Sequence, residues 1–169
     1  RAGPACRRQR QCQQLRRQPA AAARQRTAAA AGFTQVIALS GCAHLWSSKV
    51  LRAGMGAHQL LDLYEGWSNQ QVLSAVTAPL LAASADASNE LYDMQQDLMH
   101  PVAWIMGSEG QGVSDELMVQ AKGVSIPIDP RVESLNVSTA AALCLFDSFM
   151  PCLLVVVCQR NLNCCLDLF

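Results

Sequence analysis

No two cysteines of this chain stand at C-x-x-C spacing, although it has eight: Cys6, Cys12, Cys42, Cys144, Cys152, Cys158, Cys164 and Cys165. That absence argues against a zinc or dithiol redox framework, and no metal is expected. No secretory signal is visible, so the thiols read as free or buried in a reducing compartment. Nor does any apolar run reach the ~18 residues a membrane span needs. Leu153–Cys158 is strongly apolar, but Asp147 and Pro151 interrupt the stretch before it. It reads as a core strand or as an aggregation-prone tail, and no membrane partner is expected.

Acid is missing from the first 32 residues, which hold eight arginines. The rest of the chain holds five basic and thirteen acidic residues, so an arm of +8 precedes a body of −8. Such an arm suits phosphate contacts with nucleic acid, or an organelle transit segment. Its apolar residues are nearly all alanine, which cannot build a core, so residues 1–25 are expected to be disordered.

From Phe33 onward the chain has the apolar content of one globular domain. Short apolar runs alternate with helical patterns. Strands are expected at Val36–Leu39, Gln59–Tyr64, Leu80–Ser84, Val102–Met106 and Val124–Ile128. Helices are expected over Ser47–Met55, ended at Gly56, over Ser68–Val76, after Ser114, and over Asn136–Met150. The last is apolar nearly all round and so should be buried. Asp86–Met99 reads as a loop with some helix. This alternation predicts an α/β fold with a parallel sheet flanked by helices.

Two segments carry the chemistry. One is Gly107-Ser108-Glu109-Gly110-Gln111-Gly112-Val113-Ser114, directly after a strand. The other is Ile126-Pro127-Ile128 with Val132-Glu133-Ser134-Leu135-Asn136-Val137-Ser138. Ligands of open parallel sheets collect outside the carboxyl ends of strands, where both segments fall. The glycines permit close backbone approach. No Lys-Ser/Thr follows them, so this is no phosphate-cradling P-loop, and a nucleotide-binding module is disfavoured. The glycine order is not that of a dinucleotide fingerprint either. Taken singly, the loop is a tight turn, Glu109 a solvated carboxylate, and Ser134 and Asn136 a helix N-cap.

Taken together, the segments closely resemble motifs two and three of the SpoU (TrmH-like) RNA methyltransferases of the SPOUT superfamily. Ser48-Lys49-Val50-Leu51-Arg52-Ala53-Gly54-Met55-Gly56-Ala57 also looks like the family's segment after its second strand. Arg26-Thr27-Ala28-Ala29-Ala30-Ala31-Gly32-Phe33 resembles the end of motif one. The resemblance covers about residues 26–149. It implies a parallel α/β sheet with a C-terminal trefoil knot, a rare exception to the rule against knots. It implies S-adenosylmethionine as cofactor, a homodimer, and methylation of a ribose 2′-hydroxyl in tRNA or rRNA. Carried over by residue, it implies cofactor binding by Gly107, Ser108, Gly110, Ile126, Ile128 and Leu135. It implies a catalytic centre of Glu109, Ser134 and Asn136, with Arg26 binding RNA phosphate or helping to activate the hydroxyl.

The chain departs from that pattern at both ends. Motif one has an asparagine and a glycine where this chain has Ala20 and Ala22. No apolar run upstream can supply the family's first sheet strand, which is therefore expected to be missing or replaced. Such a gap would leave neighbouring strands unpaired and consume much of a ~5–15 kcal/mol stability margin. The expected organisation is a non-family arm over 1–25, a methyltransferase domain over 26–150 and a Cys-rich apolar tail over 151–169. Pro151 should end the last helix. The function expected is RNA 2′-O-methylation, in the cytoplasm, or in an organelle if the arm is a transit segment. The alternative is an inactive or truncated relative that binds RNA or cofactor without catalysis.

Overall fold

A computed structural model describes residues 22–108, 111–132, 134–148 and 151–156. The described part of the first helix, α1, covers residues 22–30, so helix reaches four residues into the segment expected to be disordered. Then follow β1 (Gln35–Leu39), α2 (Ser48–Gly54), β2 (Asp62–Trp67), α3 (Asn69–Ala75), β3 (Leu80–Ala83) and β4 (Asn89–Glu90). The chain continues through β5 (Val102–Met106), α4 (Asp115–Met118), β6 (Lys122–Ser125), α5 (Val137–Asp147) and β7 (Pro151–Val156). Every pairing is parallel, in the order β2-β1-β7-β5-β3-β6-β4. A parallel α/β fold is what the alternation predicts.

β5 is the spine of the sheet, and all five of its residues are buried. Val102, Trp104 and Met106 join a core on one face with Phe33, Leu98 and Leu145. Ala103 and Ile105 join a second core on the other face with Ile37, Val72 and Leu117. This two-faced burial is why the strand reads as an unbroken apolar run. The Trp104 indole N–H donates to Ser148 Oγ at 2.8 Å, and that hydroxyl donates to the Cys144 carbonyl at 2.9 Å. The relay fastens the end of α5 to β5 and satisfies a polar atom that would otherwise be buried alone. Burial also pushes the Cys144 thiol up to about 12, which keeps it protonated and unreactive at ordinary pH.

β7 occupies the slot between β1 and β5. It pairs Gln35 to Ala38 with Leu153 to Val156 on one side and Val102 to Met106 with Pro151 to Val156 on the other. The expected row of unpaired backbone groups in the middle of the sheet is therefore absent. Of the two readings of Leu153–Cys158, strand and exposed tail, the strand holds for Leu153–Val156, while Val157 and Cys158 lie outside the described residues. α5 closes at the Ser148 cap, ahead of Pro151 as expected.

Other expectations shift. The strand expected at Gln59–Tyr64 lies at Asp62–Trp67, because Ala57–Gln59 turns as a 3-10 helix. Gly66, at φ 77, is the residue left out of register where Leu39 pairs with Trp67. The left-handed cap of α2 is Met55 at φ 48, with Gly56 at φ 86 after it. The strand expected at Val124–Ile128 runs from Lys122 to Ser125 instead, and Ile126-Pro127-Ile128 leaves the sheet. α5 is not buried all round: Ala141, Cys144 and Leu145 face the core, but Leu143 and Phe146 are exposed. Around α3 the reading holds fully. Ser68 Oγ accepts from the Gln71 N–H, and Gln71 Oε1 accepts from the Ser68 N–H, a reciprocal capping box. No described helix is long and apolar enough to cross a membrane.

Two substitutions test this framework. Ser148→Ala strands the buried Trp104 N–H and should cost about 1–3 kcal/mol in urea unfolding. Leu154→Pro removes a ladder donor from a strand paired on both sides, and should lower the urea midpoint by at least as much. An unchanged midpoint for Leu154→Pro would place β7 outside the cooperative fold.

Candidate functional site

The loops after β3, β5 and β6 emerge at one edge of the sheet. β3 lies between the other two, so the ends of β5 and β6 stand two strand spacings apart, about 10 Å. The loop after β5 is pinched shut. Ser108 N–H donates to the Gly112 carbonyl at 2.9 Å, and Gly112 N–H returns the bond to Ser108 at 3.0 Å. Gly107 must be glycine here, since a Cβ would lie 2.7 Å from Gly112 Cα. Gly112 itself has φ 65. Gly107 is buried, and the Ser108 hydroxyl is buried with no hydrogen-bond partner among the described residues. A buried hydroxyl left alone in a loop at a strand end is suited to a polar ligand atom.

Across the edge, Ser84 N–H donates to the Val124 carbonyl at 2.9 Å and ties the loop after β3 to β6. Sequence reasoning missed this third loop, because Ser84-Ala85-Asp86 carries no motif. Beyond Ser125 the chain carries no strand pairing at Ile126-Pro127-Ile128. Ile126 packs on the core and Ile128 is half-buried, as is Leu135. The side chains are thus anchored inward while the backbone has left the ladder. Asn136 Oδ1 accepts from the Ser138 N–H at 2.9 Å and caps α5. That is the role its residue type predicts when read singly. Ser134 is exposed nearby. Glu109 and Gly110 lie outside the described residues.

Arg26 lies on the helix that precedes β1. It is exposed on α1 and has no ion-pair partner among the described residues. Ser114 stands at the N-cap of α4 as expected, but its hydroxyl makes no capping bond. Instead Asn69 Nδ2 donates to Glu116 Oε2 at 2.7 Å and lies 3.4 Å from Ser114 Oγ, joining α3 to α4. Beside that joint a recess of about 390 Å³ opens between Ser40, Trp67, Asn69 and Glu116. It shares the carboxyl edge of the sheet with the motif loops.

Comparison with known proteins agrees with the parallel α/β fold. The model of the SpoU rRNA Methylase family matches residues 14–146 and so begins within the Arg-rich arm. The 23S rRNA (guanosine-2′-O-)-methyltransferase RlmB of Pseudomonas putida is 32% identical over 127 residues, 73% of this chain and 50% of that protein. Among solved structures, one from work on 2-OH methylation of C/U34 on tRNA superposes with a TM-score of 0.70. It has 26% identity and covers 78% of this chain and 87% of that one. The SpoU methyltransferase AviRb of Streptomyces viridochromogenes, solved with its cofactor AdoMet, gives a TM-score of 0.71. At 21% identity over 78% of this chain and 55% of that one, it speaks for the fold. The chain spans about half the length of the curated relatives it matches.

The pinched loop can be tested directly. Gly107→Ala forces a methyl group into the backbone of Gly112 and should cost about 1–3 kcal/mol of stability. Gln111→Ala, at an exposed position of the same loop, serves as the comparison in the same urea titration.

Proposed function

This chain belongs to the SpoU rRNA methylase family, and on that premise we propose that it methylates a ribose 2′-hydroxyl of tRNA or rRNA with S-adenosylmethionine as donor. The observation that carries this reading is the convergence of the two motif loops on one strand edge, around the unpartnered Ser108 hydroxyl. Relatives named for RNA ribose methylation and a fold neighbour solved with AdoMet support it.

Gly107, Ser108 and Gly110 on one side, and Ile126, Ile128 and Leu135 on the other, would hold the cofactor. Backbone groups and the Ser108 hydroxyl would supply the polar contacts, and the half-buried isoleucines the apolar walls. The bound cofactor supplies a methyl group on a sulfonium centre. The chain's own task is to present the ribose hydroxyl, a poor nucleophile that must lose its proton as it attacks. Glu109, Ser134 and Asn136 are assigned to that polar centre. The cap bond to Ser138 fixes Asn136 at the mouth of α5, which suits the positioning within about 3–3.5 Å that methyl transfer demands. Arg26 carries a guanidinium fork that offers only donors, so its role is electrostatic: holding phosphate and steadying negative charge on the ribose oxygen.

The finer architecture follows the same reading. Residues 26–150 form the methyltransferase domain, with the chain after β6 threaded as a trefoil knot. β7 stands in the place of the family's first sheet strand; its parallel position between β1 and β5 supports this. The exposed Leu143 and Phe146 on α5, with exposed Val132 nearby in sequence, suit burial against a second copy in a homodimer. The site of action is the cytoplasm, or a mitochondrion as named for a human relative.

The test is calorimetric titration with S-adenosylmethionine followed by methyl transfer to bulk tRNA and rRNA. Asn136→Ala should abolish transfer, a loss of at least about a hundredfold, while cofactor binding changes only a few-fold. Retained transfer in that variant would overturn the site assignment, and no cofactor binding by the parent chain would overturn the function.

A further inference from the structure

The basic side chains of this acidic body are not spread evenly. Among the described residues beyond α1, Lys122 is paired with Asp97 at 2.7 Å and Arg131 with Asp129 at 2.8 Å. The other two, Lys49 and Arg52, have no acidic partner there. They stand at i and i+3 on α2, on one face of the helix, and both are exposed. Just ahead of them Trp46 is 55% exposed.

Trp46 is also held in place. Its ring packs on His58 with centroids 5.4 Å apart and planes tilted by 54°. His58 Nε2 donates to the Leu45 carbonyl at 2.8 Å, and the Leu45 N–H donates to the Glu65 carboxylate. That bond engages the acid nearest in the bonding network. One face of the indole is thus backed by protein while much of the residue remains solvent-accessible. Beneath the same segment, the Ser47 hydroxyl and both polar atoms of the Gln25 side chain are buried with no hydrogen-bond partner. Gln25 Oε1 lies 3.8 Å from where a Cβ of Gly54 would be, so it packs on the end of α2.

The position is as informative as the composition. The Ser40–Ser47 loop leaves the carboxyl end of β1, two strand spacings, or about 10 Å, from the end of β5. The surface therefore borders the edge that carries the motif loops. We infer that Trp46, Lys49 and Arg52 form a docking surface for single-stranded RNA, one base stacking on the indole and adjacent phosphates lying on the two cations. This deepens the RNA reading above and rests on it. Stacking platforms beside cationic tracks are how proteins hold unpaired nucleotides without reading their sequence. A bound strand would run from this face toward the Ser108 loop.

The experiment uses the full chain and a fluorescein-labelled 12-nucleotide single-stranded RNA of mixed sequence, followed by anisotropy across a salt series. Trp46→Ala should weaken binding roughly tenfold and Trp46→Phe much less, the pattern expected of stacking. Lys49→Gln with Arg52→Gln should shallow the log–log salt slope by about 1.4, whereas Lys122→Gln, at the opposite end of β6, should leave it unchanged. Circular dichroism melts establish that each variant is folded. Unchanged affinity in Trp46→Ala together with an unchanged slope in the double variant overturns the inference. A variant that binds RNA normally but changes its sedimentation behaviour reassigns the face to a protein contact, and also overturns it. Methyl transfer to bulk tRNA is measured in parallel. Binding defects without any transfer by the parent chain keep the surface and reject the transferase; transfer with undisturbed binding in all variants does the reverse.

Discussion

The complete burial of β5 is the constraint on which the rest of the structure depends. Its five residues face two cores at once, so a strand must lie on each side and helices must cover each face. β3 meets this demand on one side and β7 on the other. The Trp104–Ser148–Cys144 relay then sets where α5 ends relative to the sheet. Because β5 ends at Met106, the backbone contact between Gly107 and Gly112 is delivered to the same edge every time the sheet forms. The candidate site is in this sense a consequence of core packing.

Site and surface divide the sheet edge between them. The loops after β3, β5 and β6 leave the sheet at one edge, where the Ser108 hydroxyl is buried with no hydrogen-bond partner among the described residues. The loop after β1 builds an open, cationic and aromatic face. These opposite textures suit opposite ligands: a compact cofactor whose polar atoms need fixed partners, and a long polyanion that must slide in and leave. An acidic body with its unpaired cations gathered beside that edge would also steer the polyanion toward it.

Much of this was legible in the sequence, and the reasons are local. Ser68 announces the start of α3 because the cap bond it accepts from Gln71 lies within one turn. Val102–Met106 announces a buried strand because no position tolerates a polar group. The glycine loop and the Ser134-Leu135-Asn136 segment announced a site at strand ends because their joint pattern is rare, although Asn136 also performs the plain N-cap role. The misreadings were also local in origin. Apolar α5 looked buried from every side, because composition does not say how many neighbours a helix has. Ile126-Pro127-Ile128 looked like strand, since apolar residues that anchor a loop resemble apolar residues in a ladder.

Sequence by itself determined the alternation of strands and helices, the two chemical segments and the split between a basic arm and an acidic body. Only the tertiary structure decided that Pro151–Val156 lies between β1 and β5, that Leu143 and Phe146 stay in solvent, and that Trp46 is braced by His58. The physical reason is one of range. Capping, turn geometry and side-chain periodicity act over a few residues and leave their mark in the local pattern. The partner of a parallel strand lies far along the chain, as Gln35 of β1 opposite Leu153 of β7, and its backbone hydrogen bonds are the same whichever side chains it carries.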